Sequence, residues 1–299
     1  MSALVLKIIL IVTMTLDHAA VVFLDRGSEL YGSELYMTLR IFGRPALPIA
    51  CFLIAEGFAK TSNRTKYLLR VFFTGLIAEL FWLYLWTMQR IEAAHIMEDA
   101  YNAAGGDAVY GASGGVEKWF TALTSAQQND YTGWIIPALN VLFTFTICML
   151  MLVVVQKIKD HFGDLQAKQF LHNLGYLSCM GATIMVTILV CMLFPITLDY
   201  SIEAPIFILI CFMFREERKT MGIMLGVISL FMATQNMYYA LATLLGVVCV
   251  FSYNGELGYD KTKHPMVRTL FYAYYPVHLA VLVEARYFNE IYSNFFGKG

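Results

Sequence analysis

Residues 4–23 read LVLKIILIVTMTLDHAAVVF, and the rest of the chain is read outward from this stretch. It is apolar and long enough to cross a bilayer as a helix, which takes about 20 residues. Beyond Lys7 near its start, two ionisable residues interrupt it, Asp17 and His18. An acid beside an imidazole at that depth is costly unless it is paired or faces water, so the pair points to chemistry inside the membrane. The alternative is a structural pair that locks helix packing.

Composition extends this reading to the whole chain. Of 299 residues, 59% are hydrophobic and 14% charged, where a soluble domain carries about 25% charged residues. The expectation is an all-α integral membrane protein, with about nine transmembrane helices (8–10) in a single bundle enclosing a polar cavity. The candidate spans are 3–24, 38–58, 68–88, 133–155, 174–194, 200–214, 220–233, 236–252 and 267–288. The first run lacks a basic leader and a small-residue cleavage site, so it is expected to stay as a helix. All six cysteines lie in apolar runs and no CxxC occurs, which argues against a disulfide framework or a metal site and for small core packing. No nucleic-acid partner is expected.

The charges alternate between connections. Lys60, Arg64, Lys66 and Arg70 fall in the second, Lys157, Lys159 and Lys168 in the fourth, Arg215, Arg218 and Lys219 in the sixth, and Lys261, Lys263 and Arg268 in the eighth. The odd connections are acidic, with Asp25, Glu29 and Glu34 in the first and Asp199 and Glu203 around the fifth. The positive-inside rule then places the N-terminus in the cytoplasm and the protein in the cell membrane. Residues 89–132 form a long polar, glycine-rich insertion in an otherwise single membrane domain spanning 1–299. Its placement outside suggests a lid or docking surface, or else a solvated ornament.

Depth follows from the helical rise. His18 falls about 21 Å from the inner start of the first span, and Arg44 reaches nearly the same level from the second. Arg40 lies one turn further out and is read either as a snorkelling boundary residue or as a partner of Asp17. Asn140, some seven residues into the fourth span, joins the same layer, with Glu79 and His278 nearer the middle. Glu56 and Glu79 are expected to pair with the basic second connection or with Arg70. Adjacent helical residues point about 100° apart, so Asp17 is expected to hold Arg44 or Arg40 and not its neighbour His18. The basic run at 60–70 serves either as a topology signal or as an anion site, where Arg64, Lys66 and Arg70 meet phosphates at a helix start.

Several blocks resemble the TraX family: LKII at 6–9 with MTLDH at 14–18, LRIFGRPALP at 39–48, EGF at 56–58, NRTKYLLR at 63–70, NVLFT at 140–144, YNG at 253–255 and FYAYYPVHL at 271–279. The chain differs from the family's pattern at Ala19–Ala20, where Ile-Gly is expected, and in the length of 89–132. The family is named for a conjugation-associated protein that acetylates a pilin N-terminus, and it looks related to transmembrane acyltransferases that use cytoplasmic acyl-CoA. The resemblance implies an acyl-CoA-dependent acetyltransferase. It would move an acyl group to an amine or hydroxyl of an extracytoplasmic acceptor, which is a protein N-terminus, a glycan or a small molecule. By resemblance His18 is the base and Asp17 its neighbour. Arg44 or Asn140 are candidates to steady the oxyanion, and His278 is a second proton carrier. Asn63, Arg64, Lys66 and Arg70 would hold acetyl-CoA. The rival functions are a proton-coupled transporter and a noncatalytic assembly partner of a pilus or secretion system.

Overall fold

The structure is a computed structural model that describes residues 1–24, 32–103, 139–163, 170–193, 198–200, 202–232, 237–260 and 262–296. Among these it is helical: α1 (Ala3–Phe23), α2 (Glu34–Gly43), α3 (Ala46–Lys60), α4 (Arg64–Ala103), α5 (Val141–Phe162), α6 (Phe170–Leu193), α7 (Glu203–Met213), α8 (Arg218–Met232), α9 (Met237–Phe251) and α10 (Met266–Phe296). Each expected span overlaps helical residues, but among the described residues six stretches, against the nine expected, are long and apolar enough to cross a membrane: α1, α2 with α3, and the apolar parts of α4, α5, α6 and α10. Helices α7 and α9 are apolar but shorter.

The second span is two helices. Pro45 has no N–H to offer the carbonyl of Ile41, and its ring crowds that carbonyl. The Ile41 oxygen instead accepts from the Arg44 N–H at 3.1 Å, one residue early, and the helix restarts at Ala46. Helix α9 leans into this break. A Cβ added at Gly246 would stand 2.6 Å from the Pro45 carbonyl oxygen and 2.6 Å from Pro48 Cγ.

Two boundaries differ from the sequence reading. Helix α4 runs through to Ala103, so the first part of the 89–132 insertion continues a helix; residues 104–138 lie outside the described residues. Helix α5 begins at Val141 and not near 133, with Asn140 as its N-cap.

The main core joins α3, α5, α7 and α8 through Ile49, Phe58, Met149, Leu152, Phe207 and Leu225. A smaller core joins α1, α4 and α10 through Val22, Trp82, Tyr275, Leu279 and Val283. On α4 the opposite face, with Phe73, Leu76, Ile77 and Leu80, is exposed, as suits a bilayer-facing helix.

The basic connections meet at one end. The Ala3 and Leu4 N–H groups donate to the carbonyls of Glu256 and Leu257 at 2.8 and 3.0 Å. Lys60 reaches both the Tyr253 hydroxyl and the Gly255 carbonyl at 3.3 Å, and pairs with Glu56 at 2.7 Å as its i+4 partner. Arg218 donates to the Tyr253 carbonyl. Glu56 thus takes its expected partner from the basic run.

Because backbone approach at Gly246 leaves no room for a methyl group, Gly246→Ala is expected to cost about 1–3 kcal/mol by overpacking. Thermal unfolding in detergent reads this directly, and an unchanged midpoint would refute the α3–α9 contact.

Candidate functional site

Three helices, the α2–α3 break and the turn ahead of α7 bring polar residues to one level. Counted from the basic end, His18 in α1, Arg44 beside α3, Glu79 in α4, His278 in α10 and Tyr200 ahead of α7 all lie about 20 Å along the bundle. Glu79 and His278 belong to this layer and are not offset from it.

On one face of α1, His18 Nδ1 lies 2.7 Å from His278 Nε2, with the two rings within 10° of parallel. The periodicity of each helix makes this possible: Thr15 and His18 share a face of α1, and Tyr274 and His278 share a face of α10. Tautomers follow from the partners. His278 Nδ1 lies 3.0 Å from the Tyr274 carbonyl, which can only accept, so Nδ1 carries a hydrogen. A neutral His278 then accepts at Nε2 from His18 Nδ1–H, which leaves the lone pair of His18 on Nε2. Tyr274 stacks on His278 at 5.1 Å. The Thr15 hydroxyl donates to the Ile11 carbonyl at 2.7 Å, so the Tyr274 hydroxyl is the donor in their 2.6 Å contact. Trp82 and Tyr275 close the ring cluster around His18 at 5.9 and 6.1 Å.

On the other face of α1, Asp17 Oδ2 accepts from Arg40 at 2.7 Å. The side chains are 14% and 19% exposed, so the pair is largely withdrawn from solvent and the snorkelling reading of Arg40 falls. Close approach of α2 requires Gly43, where a Cβ would sit 2.3 Å from Asp17 Cβ. Arg44 donates to the Tyr200 hydroxyl at 3.3 Å and lies 4.4 Å over the Tyr239 ring. Arg40 and Arg44 act electrostatically on both Asp17 and Asp199, giving a cluster of two acids and two arginines. Tyr200 holds φ 53°, a left-handed conformation uncommon for a bulky residue and found at functional sites.

Asn140 is committed to structure. Its Oδ1 caps α5 through the Leu142 N–H at 3.0 Å, and its Nδ2 donates to Glu79 at 2.6 Å and to the Gly75 carbonyl at 2.9 Å. With both amide hydrogens engaged, it serves an oxyanion only by giving up one of these bonds. Glu79 is therefore partnered by Asn140 and not by Arg70. The extended residues Leu139 and Leu198 form a parallel bridge beside this pair. Thr144 donates to the Asp199 carbonyl at 2.6 Å. Irregular backbone at this depth is tolerated because protein surrounds it.

The basic quartet does not converge. Asn63 caps α4 by accepting from the Lys66 N–H at 2.8 Å. Arg64 lies 5.0 Å over Phe58, on the α3 side. Arg70 lies 5.5 Å from the Tyr272 ring, on the α10 side. Lys66 is exposed. Of the four, Arg70 alone stacks on a ring of α10, the helix that carries His278. Sequence reasoning passed over Trp82, Tyr274, Tyr275, Tyr200 and Tyr239. The two tyrosines of α10 were signalled by their spacing, three and four residues before His278.

Fold and layer together define a helical membrane protein with a hydrogen-bonded histidine pair inside its bundle. The family model described as TraX protein matches residues 2–97 and 120–286, and the chain belongs to that family. A relative in Dichelobacter nodosus, the "Probable fimbrial assembly protein FimC, serogroup H1", is 26% identical, with 97% of each chain covered. No solved structure matches. Among the described residues no group of His, Cys, Asp and Glu has the arrangement of a metal site.

The Asp17–Arg40 pair predicts a coupled stability effect. Asp17→Asn or Arg40→Gln alone leaves a charge without its counterpart and is expected to cost about 3 kcal/mol, and the double variant less than the sum. Strict additivity in a double-mutant cycle would show that the two do not interact.

Proposed function

We propose that this protein is a membrane-embedded acyltransferase that moves an acetyl group from cytoplasmic acetyl-CoA to an amine or hydroxyl of an acceptor on the outer side. The observation that carries the proposal is the His18–His278 hydrogen bond, with a tautomer chain that leaves His18 Nε2 as a base. In the reaction, His18 Nε2 takes the proton of the acceptor as its nitrogen or oxygen attacks the thioester carbon. The new C–N or C–O bond forms and the C–S bond breaks. The departing thiolate recovers the proton from His18. His278 is a positioning residue: it holds the imidazole in the reactive tautomer and supports the imidazolium that forms. Arg44, an oxyanion candidate by resemblance, has a buried Nε with no hydrogen-bond partner among the described residues but stands on the Asp17 side of α1, against Tyr200 and Tyr239.

The donor reaches His18 along the α1–α4–α10 seam. At its basic end, Lys7 lies 4.7 Å over Phe271 and Arg70 5.5 Å over Tyr272, so cations and aromatic rings are placed together where a phosphorylated donor enters. This replaces the quartet read from the sequence by a set in which Arg70 is retained. The charge pattern supports a cytoplasmic N-terminus and a basic end facing the cytoplasm of a cell membrane. A cysteine at Lys263→Cys should therefore be protected from a membrane-impermeant maleimide in intact cells; labelling there inverts the topology.

A second reading, a noncatalytic assembly partner of a pilus, is favoured by the name of the Dichelobacter relative. One experiment separates the two. Purified protein is given acetyl-CoA and a peptide amine library, and thiol release is followed. His18→Ala is expected to lower the rate about 10²–10⁴-fold; His278→Gln lowers it less and shifts the pH profile. If wild type releases no thiol with any acceptor, while cells carrying His18→Ala still assemble pili, the assembly reading stands.

A further inference from the structure

Helix α4 presents its arginines to two sides. Arg64 and Arg70 are six residues apart, which separates them by about 240° around the helix axis. Arg70 faces the seam used in the proposed reaction. Arg64 faces a cavity of about 400 Å³, walled also by Gln156 and Lys159 of α5 and by Arg215 and Glu216 after α7. That volume lies within the range of small-ligand sites, about 300–1,000 Å³. The cavity does not belong to the His18 layer, and nothing in acyl transfer requires it.

Its cations come from three separate elements. Arg64 is set by its stacking over Phe58 at 5.0 Å, next to Ala59 of the cavity lining. Arg215 is held by Glu216, which accepts from Nε at 2.8 Å and lies 2.6 Å from Nη2. That leaves the Nη1 donors of Arg215 available. Lys159 pairs with no carboxylate among the described residues. The nearby Asp160 accepts instead from Gln156 at 2.7 Å. The lining therefore carries three cations against one acid, and that acid is already engaged. A lone carboxylate ligand needs one guanidinium fork. Three cationic side chains brought to one cavity by three elements suit the oxygens of a tetrahedral dianion.

We infer that the cavity between Arg64, Lys159 and Arg215 is a phosphate site, separate from the acyl-transfer site. The ligand is a phosphate group with its charge toward these three side chains, borne either by a soluble phosphate compound or by a lipid headgroup at the membrane surface. The rival account is that Lys159 and Arg215 only cap the carboxyl ends of α5 and α7.

The test uses the full-length protein in detergent with inorganic pyrophosphate, and in nanodiscs of phosphatidylglycerol or of phosphatidylcholine. Thermal unfolding is the readout. A soluble ligand predicts that pyrophosphate raises the midpoint of wild type. Half-saturation should be at least tenfold weaker in Lys159→Gln and in Arg215→Gln, and unchanged in Lys219→Gln, an exposed cation outside the cavity. A lipid source predicts that phosphatidylglycerol raises the midpoint over phosphatidylcholine, with the gain lost in the same two variants and kept in Lys219→Gln. Two variants are used so that a misfolded one does not end the test. The proposal is overturned if neither probe stabilises wild type, or if Lys219→Gln weakens the effect as much as Lys159→Gln. It is also overturned if both cavity variants lower the midpoint without altering the response to either probe, which is the signature of capping alone. Thiol release from acetyl-CoA decides the acyltransferase reading independently of any of these results.

Discussion

The ion pair between Asp17 and Arg40 constrains more of this structure than any other contact. A carboxylate inside a membrane helix must be met by a cation, and the cation must come from a helix that can approach closely. Gly43 supplies the approach, since any Cβ there would overlap Asp17. Once α2 is fixed against α1, the break at Arg44–Pro45 falls beside the pair. Arg44 is then aimed between Tyr200 and Tyr239, elements that arrive from far along the sequence. The tight seat of Gly246 on Pro45 carries the same constraint into α9. A methyl group at either glycine would therefore disturb a polar layer and a packing contact together.

The pair also divides labour along α1. Because consecutive helical residues diverge by about 100°, an Asp17 turned toward α2 leaves His18 turned toward α4 and α10. There it meets a partner that is itself fixed by a backbone carbonyl, so ring orientation and tautomer are both specified. Tyr275 links the two sides. It lies against both histidines and shares an electrostatic environment with Asp199, Glu79 and Tyr200.

Much of this was legible in the sequence because membrane helices announce themselves by length and apolarity, and buried charges by their cost. Every expected span overlaps helical residues, though among the described residues six and not nine stretches are long and apolar enough to cross a membrane, and Asp17 was expected to hold an arginine and not its neighbour. The broken second span was signalled by Pro45 and Pro48. The split of Arg64 from Arg70 was available from the helical period alone; reading the run as one linear motif obscured it. Asn140 was different. Its capping role depends on where α5 starts, and an apolar run that continues on both sides of Asn140 gives no sign of that. Nor could Tyr200 be placed, since its position follows from a left-handed turn residue just ahead of α7. Irregular backbone has no period from which a face can be read.

The polar layer contains two kinds of interaction, and the difference bears on what the protein is for. Asp17 with Arg40, and Glu79 with Asn140, are pairs in which a buried group meets its counterpart across helices. They are enough to fix helix register, and a protein serving only as an assembly partner needs no more than these. The histidine pair adds a hydrogen-bond chain that begins at the Tyr274 carbonyl and ends on an unprotonated nitrogen of His18. An aromatic residue of similar size would pack against Trp82 and Tyr275 equally well and would avoid burying two imidazoles. What packing alone does not account for is a directed lone pair, held at mid-bundle by a partner that can share positive charge. Such a lone pair is what the proposed proton transfer would use, whereas the charged pairs around it serve helix register.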